Sequence, residues 1–371
     1  MGSAPVLAAT DQARDLDRLA AEIAECAAPP GPQHAEAATR LASLRVNRAS
    51  LTGDLAELRR ADAALDEALE RFGPWPDLCF LRASLHLKQH RLAEASAALA
   101  EGDGLAASPD GRAVQADVDL QLGRYAEARA AYERLAAETP AWDNLARLAH
   151  FEGHFGDART ADDLYARSAG ELTAKELRSY AWVESHRGRL HLRHGRVAEA
   201  ELHCELAARA YSGHWLVDRH LAAVRAAQGR LEEAAALVED AAARTGRPEL
   251  AQAAGDLLAR FGADAEAGAW HERALAGYLE SVRLGEVQYL HHLVEYHVDV
   301  AGDGEAALPW AERDHALRPH HATQAALAWA LHVSGRRHEA AETAGRVLAT
   351  GLRDPLIVRR MQMVRAAHPR E

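Results

Sequence analysis

The chain has 371 residues, 48% of them hydrophobic and 5% aromatic, and carries a formal net charge of -12. This acidic balance argues against a nucleic-acid-binding protein, which usually presents a basic face. No window approaches the run of about 18 apolar residues that a membrane span needs. The start lacks the basic n-region of a signal peptide, and the three cysteines show no CxxC spacing, as is typical of reduced thiols. We therefore expect a cytoplasmic protein.

The predicted elements begin with an N-terminal helix at about residues 11–27. Thr10 can cap this helix, and the prolines that follow residue 28 would end it. Residues 33–50 and 61–76 then have the pattern of two helices of one degenerate repeat, joined near Gly53. We assign residues 1–32 as an N-terminal capping helix.

From about residue 76 onward, one phrase returns along the chain. Its clearest copies are "QLGRYAEARA" at 121–130, "HGRVAEAELHCELA" at 194–207, "QGRLEEAAALVEDA" at 228–241 and "SGRRHEAAETAGRV" at 334–347. The turn positions of all copies are His90, Gly123, Gly156, Gly195, Gly229, Gly262, Ala301 and Gly335. Successive turns are separated by 33, 33, 39, 34, 33, 39 and 34 residues, which indicates a repeat of about 34 residues.

Two columns of small residues flank these turns. Alanine stands five residues after every turn, at Ala95, Ala128, Ala161, Ala200, Ala234, Ala267, Ala306 and Ala340. The residue seven positions before each turn is alanine or glycine, except for Val294. Two helices can cross closely only where both contact points are small. The columns therefore predict a tightly packed helix pair in each repeat.

The period and the alanine columns resemble those of the tetratricopeptide repeat family, from about residue 76 to 351. The motif departs from the family's pattern at His90 and Ala301, where the turn glycine is missing. The resemblance implies an all-α, right-handed α-solenoid of about eight or nine helix–turn–helix repeats, here residues 33–353. Asp354 can cap a final helix, and residues 354–371 form the predicted C-terminal capping segment. The stretch "ALAWALHVSGRRHEA" is similar to repeat proteins of high-GC bacteria.

In this family the first helices of the repeats line a concave groove, and residues two, six and ten before each turn share one stripe of the helix. The resemblance implies that this stripe holds the ligand. Arginine dominates it in three successive repeats, and its planar fork suits carboxylate or phosphate. The predicted groove residues are Arg189, Arg193, Arg219, Asp256, Arg260, Trp329 and His332. We hypothesise a binding scaffold that holds an anionic peptide or partner segment, although solvated salt bridges would also account for these arginines.

The histidine-rich stretch "YLHHLVEYHVDV" at 289–300 suggests an alternative function. On the same stripe it places one histidine and two carboxylates, whereas His297 falls on a packing position. His150 and His154, which lie four residues apart in an earlier repeat, also face the groove. The predicted metal ligands are His150, His154, His291, Glu295 and Asp299. Imidazole and carboxylate bind zinc and other transition metals, so the alternative is a metal-binding protein or metal-dependent enzyme.

Motifs for other chemistry are absent from the sequence. It contains no phosphate-binding loop, dinucleotide fingerprint, HExxH or nucleophile elbow. An enzyme would have to use groove residues such as Tyr180 or Glu295. A third hypothesis, a regulatory sensor of a small ligand, lacks a helix-turn-helix DNA-binding module. We therefore expect no cofactor, with zinc as the exception if the metal alternative holds, and a protein or peptide partner rather than nucleic acid or membrane.

Overall fold

The computed structural model describes residues 9–367, and these form helices with no β-strand among them. The helices are α1 (Asp11–Ala27), α2 (Ala35–Thr52), α3 (Leu55–Phe72), α4 (Pro76–Lys88), α5 (Leu92–Glu101), α6 (Pro109–Gln121), α7 (Tyr125–Glu138), α8 (Trp142–Phe155), α9 (Ala158–Gly170), α10 (Leu177–Arg193), α11 (Val197–Ala210), α12 (Trp215–Ala227), α13 (Leu231–Thr245), α14 (Pro248–Arg260), α15 (Asp264–Arg283), α16 (Leu290–Glu295), α17 (Gly304–Leu317), α18 (His321–Val333), α19 (Arg337–Ala349) and α20 (Pro355–Ala367). Residues 1–8 and 368–371, which belong to the predicted capping segments, lie outside the described residues.

Helices α2 to α19 form nine consecutive pairs, in which each first helix packs on the second helix that follows it. First helices also pack on one another, for example α10 on α12 and α16 on α18, and so form an inner layer. The predicted all-α solenoid is confirmed. Thr10 caps α1 and Asp354 caps α20, as the sequence predicts. The division of the chain at residues 32 and 353 stays a prediction.

The alanine columns form the contact between the two helices of each pair. Seven of the eight predicted alanines are buried, and Ala234, for example, has no exposed surface. The column before the turns is buried as well, including the exceptional Val294. Ala306 is the exception among the alanines, because its neighbour Ala307 is buried instead.

The turn predicted at Ala301 lies one residue later, at Gly302. Gly302, with φ +64°, is the left-handed residue, whereas Ala301 has φ -85°. The cause is a π-helical turn over Tyr296–Val300, in which the amide of Ala301 donates to the carbonyl of Tyr296 at 3.0 Å. Such a turn inserts one residue into a helix. The second helix of this repeat is therefore offset by one position, and this buries Ala307 in place of Ala306, whereas the next repeat keeps its predicted turn at Gly335.

His90 occupies a turn position that other repeats give to glycine. Its φ is +61°, in the left-handed region, which costs a residue with a Cβ about 1 kcal/mol. Its ring Nε2 accepts a hydrogen bond from Nη1 of Arg318 at 3.2 Å. The side chain therefore makes a tertiary contact that a glycine would lack.

We expect His90→Gly to be more stable than His90→Ala by about 1 kcal/mol, because only glycine relieves the left-handed conformation. Both variants lose the bond to Arg318, so this loss cancels in the comparison. Urea unfolding followed by circular dichroism measures the difference. Equal stabilities would show that the backbone at residue 90 carries no strain.

The solenoid coils back on itself, and its second turn rests on its first. The hydroxyl of Tyr211 donates to Asp15 at 2.8 Å across 196 residues, and the amide of His321 donates to the hydroxyl of Tyr125 at 2.6 Å, also across 196 residues. One superhelical turn therefore takes about six repeats of 34 residues. We call this line of contacts between the two turns the seam.

The seam joins two different edges of the solenoid. Turns within the early repeats meet loops between the late repeats, as where the carbonyl of His154 accepts from the amide of Arg353 at 2.7 Å. At another point, a Cβ on Gly53 would lie 1.5 Å from Nη1 of Arg247. Because both edges are joined, the concave groove becomes an inner channel with closed sides.

Candidate functional site

The inner channel carries two arginines that make no ion pair with the residues the structure describes. Arg189 of α10 and Arg219 of α12 occupy the predicted stripe, and within residues 9–367 no carboxylate lies within 4.0 Å of either guanidinium. Neighbouring Arg187, by contrast, is paired with Asp162. The two unpaired arginines form what we call the inner basic patch, in a protein whose net charge is -12.

The electrostatic environment of the patch is unfavourable in the absence of an anion. Burial lowers the pKa of Arg189, and the charges of Arg193 and Arg219 lower it further. Arginine is so basic that it stays protonated at neutral pH. Arg189 nevertheless retains exposed surface, as expected for a side chain that points into an enclosed channel. The patch therefore holds like charges close together, and an anion would relieve their repulsion.

Two histidines lie beside these arginines. The imidazole centroids of His186 and His220 are 5.4 Å apart, and Nδ1 of His186 donates to the carbonyl of Trp182 at 2.9 Å. Nδ1 therefore carries the hydrogen of the neutral ring, and Nε2 keeps a free lone pair. Burial, followed by the charge of Arg189, lowers the pKa of His186 to about 3. Burial, His186 and Arg189 also hold the pKa of His220 well below its usual value, so both rings are neutral at pH 7.

Arg193 lies on the same stripe but is engaged in the seam. Its Nη1 lies 3.1 Å from a carboxylate oxygen of Asp354 and 3.1 Å from Nε2 of His154. The Arg193 side chain is only 13% exposed. The structure therefore ties Arg193 and His154 to the N-terminus of α20 rather than leaving them free in the channel.

The inner surface changes from basic to acidic along the chain. Asp256 of α14 lies close enough to Glu295 and Asp299 that, after burial, their charges help to raise its pKa. Asp256 also accepts a hydrogen bond from Nε2 of His271 at 2.9 Å. Arg260, at the end of α14, is exposed and makes no ion pair with the residues that the structure describes. Asp256 and Arg260 thus lie near the acidic part of the channel, apart from the inner basic patch.

His291 is the centre of an ion-pair triad. Its Nε2 lies 3.4 Å from Glu295 and its Nδ1 lies 3.7 Å from Asp314. Burial acts to lower the pKa of His291, but Glu295 and Asp314 together raise it to about 9. A protonated imidazole has no lone pair for a metal. The ring therefore serves as a cation between two carboxylates at neutral pH.

Trp329 and His332 lie on α18, and the Trp329 indole contacts residues before and after that helix. The indole nitrogen of Trp329 donates to Asp299 at 3.0 Å, and His332 stacks on the indole with centroids 5.0 Å apart. The guanidinium of Arg360 lies 4.9 Å from the centre of the same ring. Asp299 reaches Trp329 from within the π-helical turn Tyr296–Val300.

The five predicted metal ligands do not converge. In the described part of the chain, three potential ligand atoms come within 4.8 Å of one another only at Asp162, His191 and His203. There His191 contacts Asp162 at 3.1 Å, but Arg187 also bonds to Asp162 and Arg196 donates to Nδ1 of His191. This network satisfies its own polar groups. Sequence reasoning missed it because its members come from three different helices without a short spacing.

Metal binding at His150, His154, His291, Glu295 and Asp299 stays a prediction, and so do the expected compartment and the lack of a catalytic role. Among the helices of residues 9–367, none is long and apolar enough to cross a membrane.

Comparisons with known proteins bear on the fold. No protein-family model matches the chain, and no curated protein does. The chain is similar to a solved structure of the APC/C hetero-tetramer Cut9–Hcn1, with a TM-score of 0.52 and 13% identity over 86% of this chain and 62% of that one. The chain therefore spans less than two thirds of that structure's length.

Two further solved structures are similar at lower scores. Yeast Tom70 gives a TM-score of 0.39 and 11% identity over 95% of this chain and 92% of that one. TTC0263, described as a thermophilic TPR protein in Thermus thermophilus, gives a TM-score of 0.40 and 20% identity over 48% of this chain and 95% of that one. The helix pairs, the repeat period and the similarity to Cut9–Hcn1 at a TM-score of 0.52 agree on the architecture. The fold is a tetratricopeptide-repeat solenoid.

Proposed function

We propose that this protein is a non-enzymatic binding scaffold whose inner channel holds an anionic segment of a partner protein. One observation carries the proposal: within residues 9–367, Arg189 and Arg219 lie together in the channel without an ion-pair partner. Elsewhere in this acidic protein, arginines such as Arg187 and Arg225 have acidic partners. An anionic ligand would supply the missing countercharge.

The strength of such contacts is sufficient for specific recognition. A hydrogen bond to a charged group contributes about 1.5–3 kcal/mol, and each 1.4 kcal/mol changes a dissociation constant about tenfold. Because the seam closes the sides of the channel, the segment has to enter along the axis or through an opening of the seam. An extended chain fits both routes better than a folded domain does.

The test uses a labelled peptide in which glutamate alternates with serine, and its counterpart with glutamine in place of glutamate. Fluorescence anisotropy with the full chain should detect binding of the glutamate peptide only. Binding should weaken as salt rises, because charge contacts are screened beyond about 8–10 Å at 0.1–0.15 M. The double variant Arg189→Ala, Arg219→Ala should weaken binding by at least about tenfold.

A charge-matched control separates the channel from the outer surface. Arg209 and Arg283 lie on second helices with side chains 62% and 68% exposed. The double variant Arg209→Ala, Arg283→Ala removes the same charge and should bind the glutamate peptide like the parent. Equal losses in both double variants, or unchanged binding in the channel variant, would contradict the proposal.

A further inference from the structure

Two arginines and two histidines converge from neighbouring first helices in the inner basic patch. His186 and Arg189 are three residues apart on α10, and Arg219 and His220 are consecutive on α12. Helix α10 packs directly on α12, and the imidazole centroids of His186 and His220 are 5.4 Å apart. The four side chains therefore surround one region of the channel wall.

The histidines contribute polar atoms that have no partner within the described chain. His220 is 9% exposed, and its Nδ1 makes no hydrogen bond. A buried polar atom without a partner costs about 1–3 kcal/mol, so a native structure rarely leaves one unexplained. His186 adds the free lone pair of Nε2, because its Nδ1 already donates to the carbonyl of Trp182. Each ring therefore has a nitrogen without a partner in the described chain, which becomes a hydrogen-bond donor once the ring is protonated.

The charge of the patch fits a dianion better than a single carboxylate. A carboxylate would cancel the charge of one guanidinium and leave the other unbalanced. A phosphoryl monoester carries about -1.5 to -2 charges at pH 7 and offers three acceptor oxygens. Guanidinium forks bind phosphate oxygens in a bidentate manner. The two arginines therefore match a phosphoryl group in charge and in the number of hydrogen-bond donors they offer.

We propose, building on the scaffold function above, that the anionic group held in the channel is a phosphorylated side chain of the partner, bound by Arg189 and Arg219 between α10 and α12. His186 and His220 complete the site and take up protons when the dianion enters. No covalent step is involved. Protons taken up by the histidines on binding oppose the loss of affinity that follows as the phosphoryl group loses charge near its second pKa of about 6.

The histidines' surroundings explain why they are neutral until the ligand binds. Groups whose charges act on His186 or His220 are Arg189 and Arg193 of α10, Arg219 of α12, His150 of α8 and His214 at the start of α12. All of them are cationic or neutral, and together with burial they oppose protonation. A bound dianion offsets these charges, so that ligand binding and proton uptake support each other.

The experiment compares two labelled peptides of one sequence, one with phosphoserine and one with glutamate at the central position. With the full chain, anisotropy should show at least a tenfold preference for the phosphoserine peptide. The preference should vanish in Arg189→Gln, Arg219→Gln and persist in Arg209→Gln, Arg283→Gln. Inorganic phosphate serves as a competitor, and displacement by it at the peptide's own affinity would assign the site to free phosphate and overturn the proposed source.

Calorimetric titration of the phosphoserine peptide in buffers of different ionisation enthalpy measures proton uptake. We expect uptake near pH 7 that falls in His186→Asn and in His220→Asn, and a ratio of affinity at pH 6 to affinity at pH 8 that is higher in the parent than in either variant. Equal affinity for the phosphoserine and glutamate peptides would overturn the phosphoryl proposal and leave the scaffold function standing. Failure of both peptides to bind would overturn both proposals.

Discussion

Replacing Ala234 by leucine should lower the free energy of unfolding by about 1–3 kcal/mol, because the larger side chain overpacks a closed contact. Ala234 has no exposed surface and lies where α13 crosses α12. It belongs to a cluster with Ala222, which is 1% exposed, and with Val238. The methyl group is fully enclosed by this cluster, so we expect the helices to separate to admit three more carbons.

Ala243 on the same helix provides the matched control. It is exposed, so Ala243→Leu adds the same atoms to α13 without overpacking the core. Urea unfolding followed by circular dichroism should show a lower midpoint for Ala234→Leu only, with the helical spectrum of the folded state retained. If both variants unfold like the parent, the assigned register of that repeat is wrong.

The repeat could be predicted because its signals are local. Ala222 and Ala234 lie twelve residues apart in the sequence and meet across one turn, so the spacing alone specifies the pair. The eighth repeat shows where such reasoning fails. A single inserted residue in the π-helical turn moves the turn from Ala301 to Gly302, and no pattern in the sequence marks a π turn in advance.

The seam could not be predicted from the sequence. Its partners, such as Tyr125 and His321, lie about 200 residues apart, and the superhelical pitch that unites them is the sum of small rotations between repeats. Arg193 shows the consequence for the site. It shares the predicted stripe with Arg189, yet the returning N-terminus of α20 brings Asp354 to within 3.1 Å of it.

Part of the candidate site follows from the sequence, and its role in binding stays a prediction. The stripe identifies Arg189 and Arg219, because helical periodicity decides which residues face the groove. His220 directly follows Arg219, and His186 directly follows the stripe position of Ser185, so this adjacency was the available signal for the histidines. The protonation state of His291 could not be predicted from the sequence. Its partner Asp314 lies on a different helix, and nothing in the sequence distinguishes Asp314 from a surface carboxylate.

Raising the pH from 7 to 9 should remove on the order of 2 kcal/mol of stability through His291 alone. Its pKa is about 9 in the folded protein, against about 6.5 in an unfolded chain. The folded state therefore binds more protons between these values, and stability falls as the pH rises. This contribution is fully present below pH 6.5 and is lost as the pH passes through 9.

Urea unfolding at pH 7, 8 and 9 measures the loss, and His291→Gln isolates it. Glutamine keeps a hydrogen bond donor but cannot carry the positive charge between Glu295 and Asp314. The variant should be less stable than the parent at pH 7, and the difference should shrink toward pH 9. His338→Gln, which changes an exposed histidine of α19, should follow the parent throughout.

The pH dependence of stability also tests the alternative that His291 binds a metal ion. A proton on His291 competes with any metal for the same nitrogen atoms, so a confirmed pH dependence makes metal binding there weaker at pH 7 than at pH 9. If the difference between parent and His291→Gln instead stays constant with pH, the histidine is neutral in the folded protein. Its nitrogens would then be available as ligands, and metal analysis of the parent would become the decisive measurement.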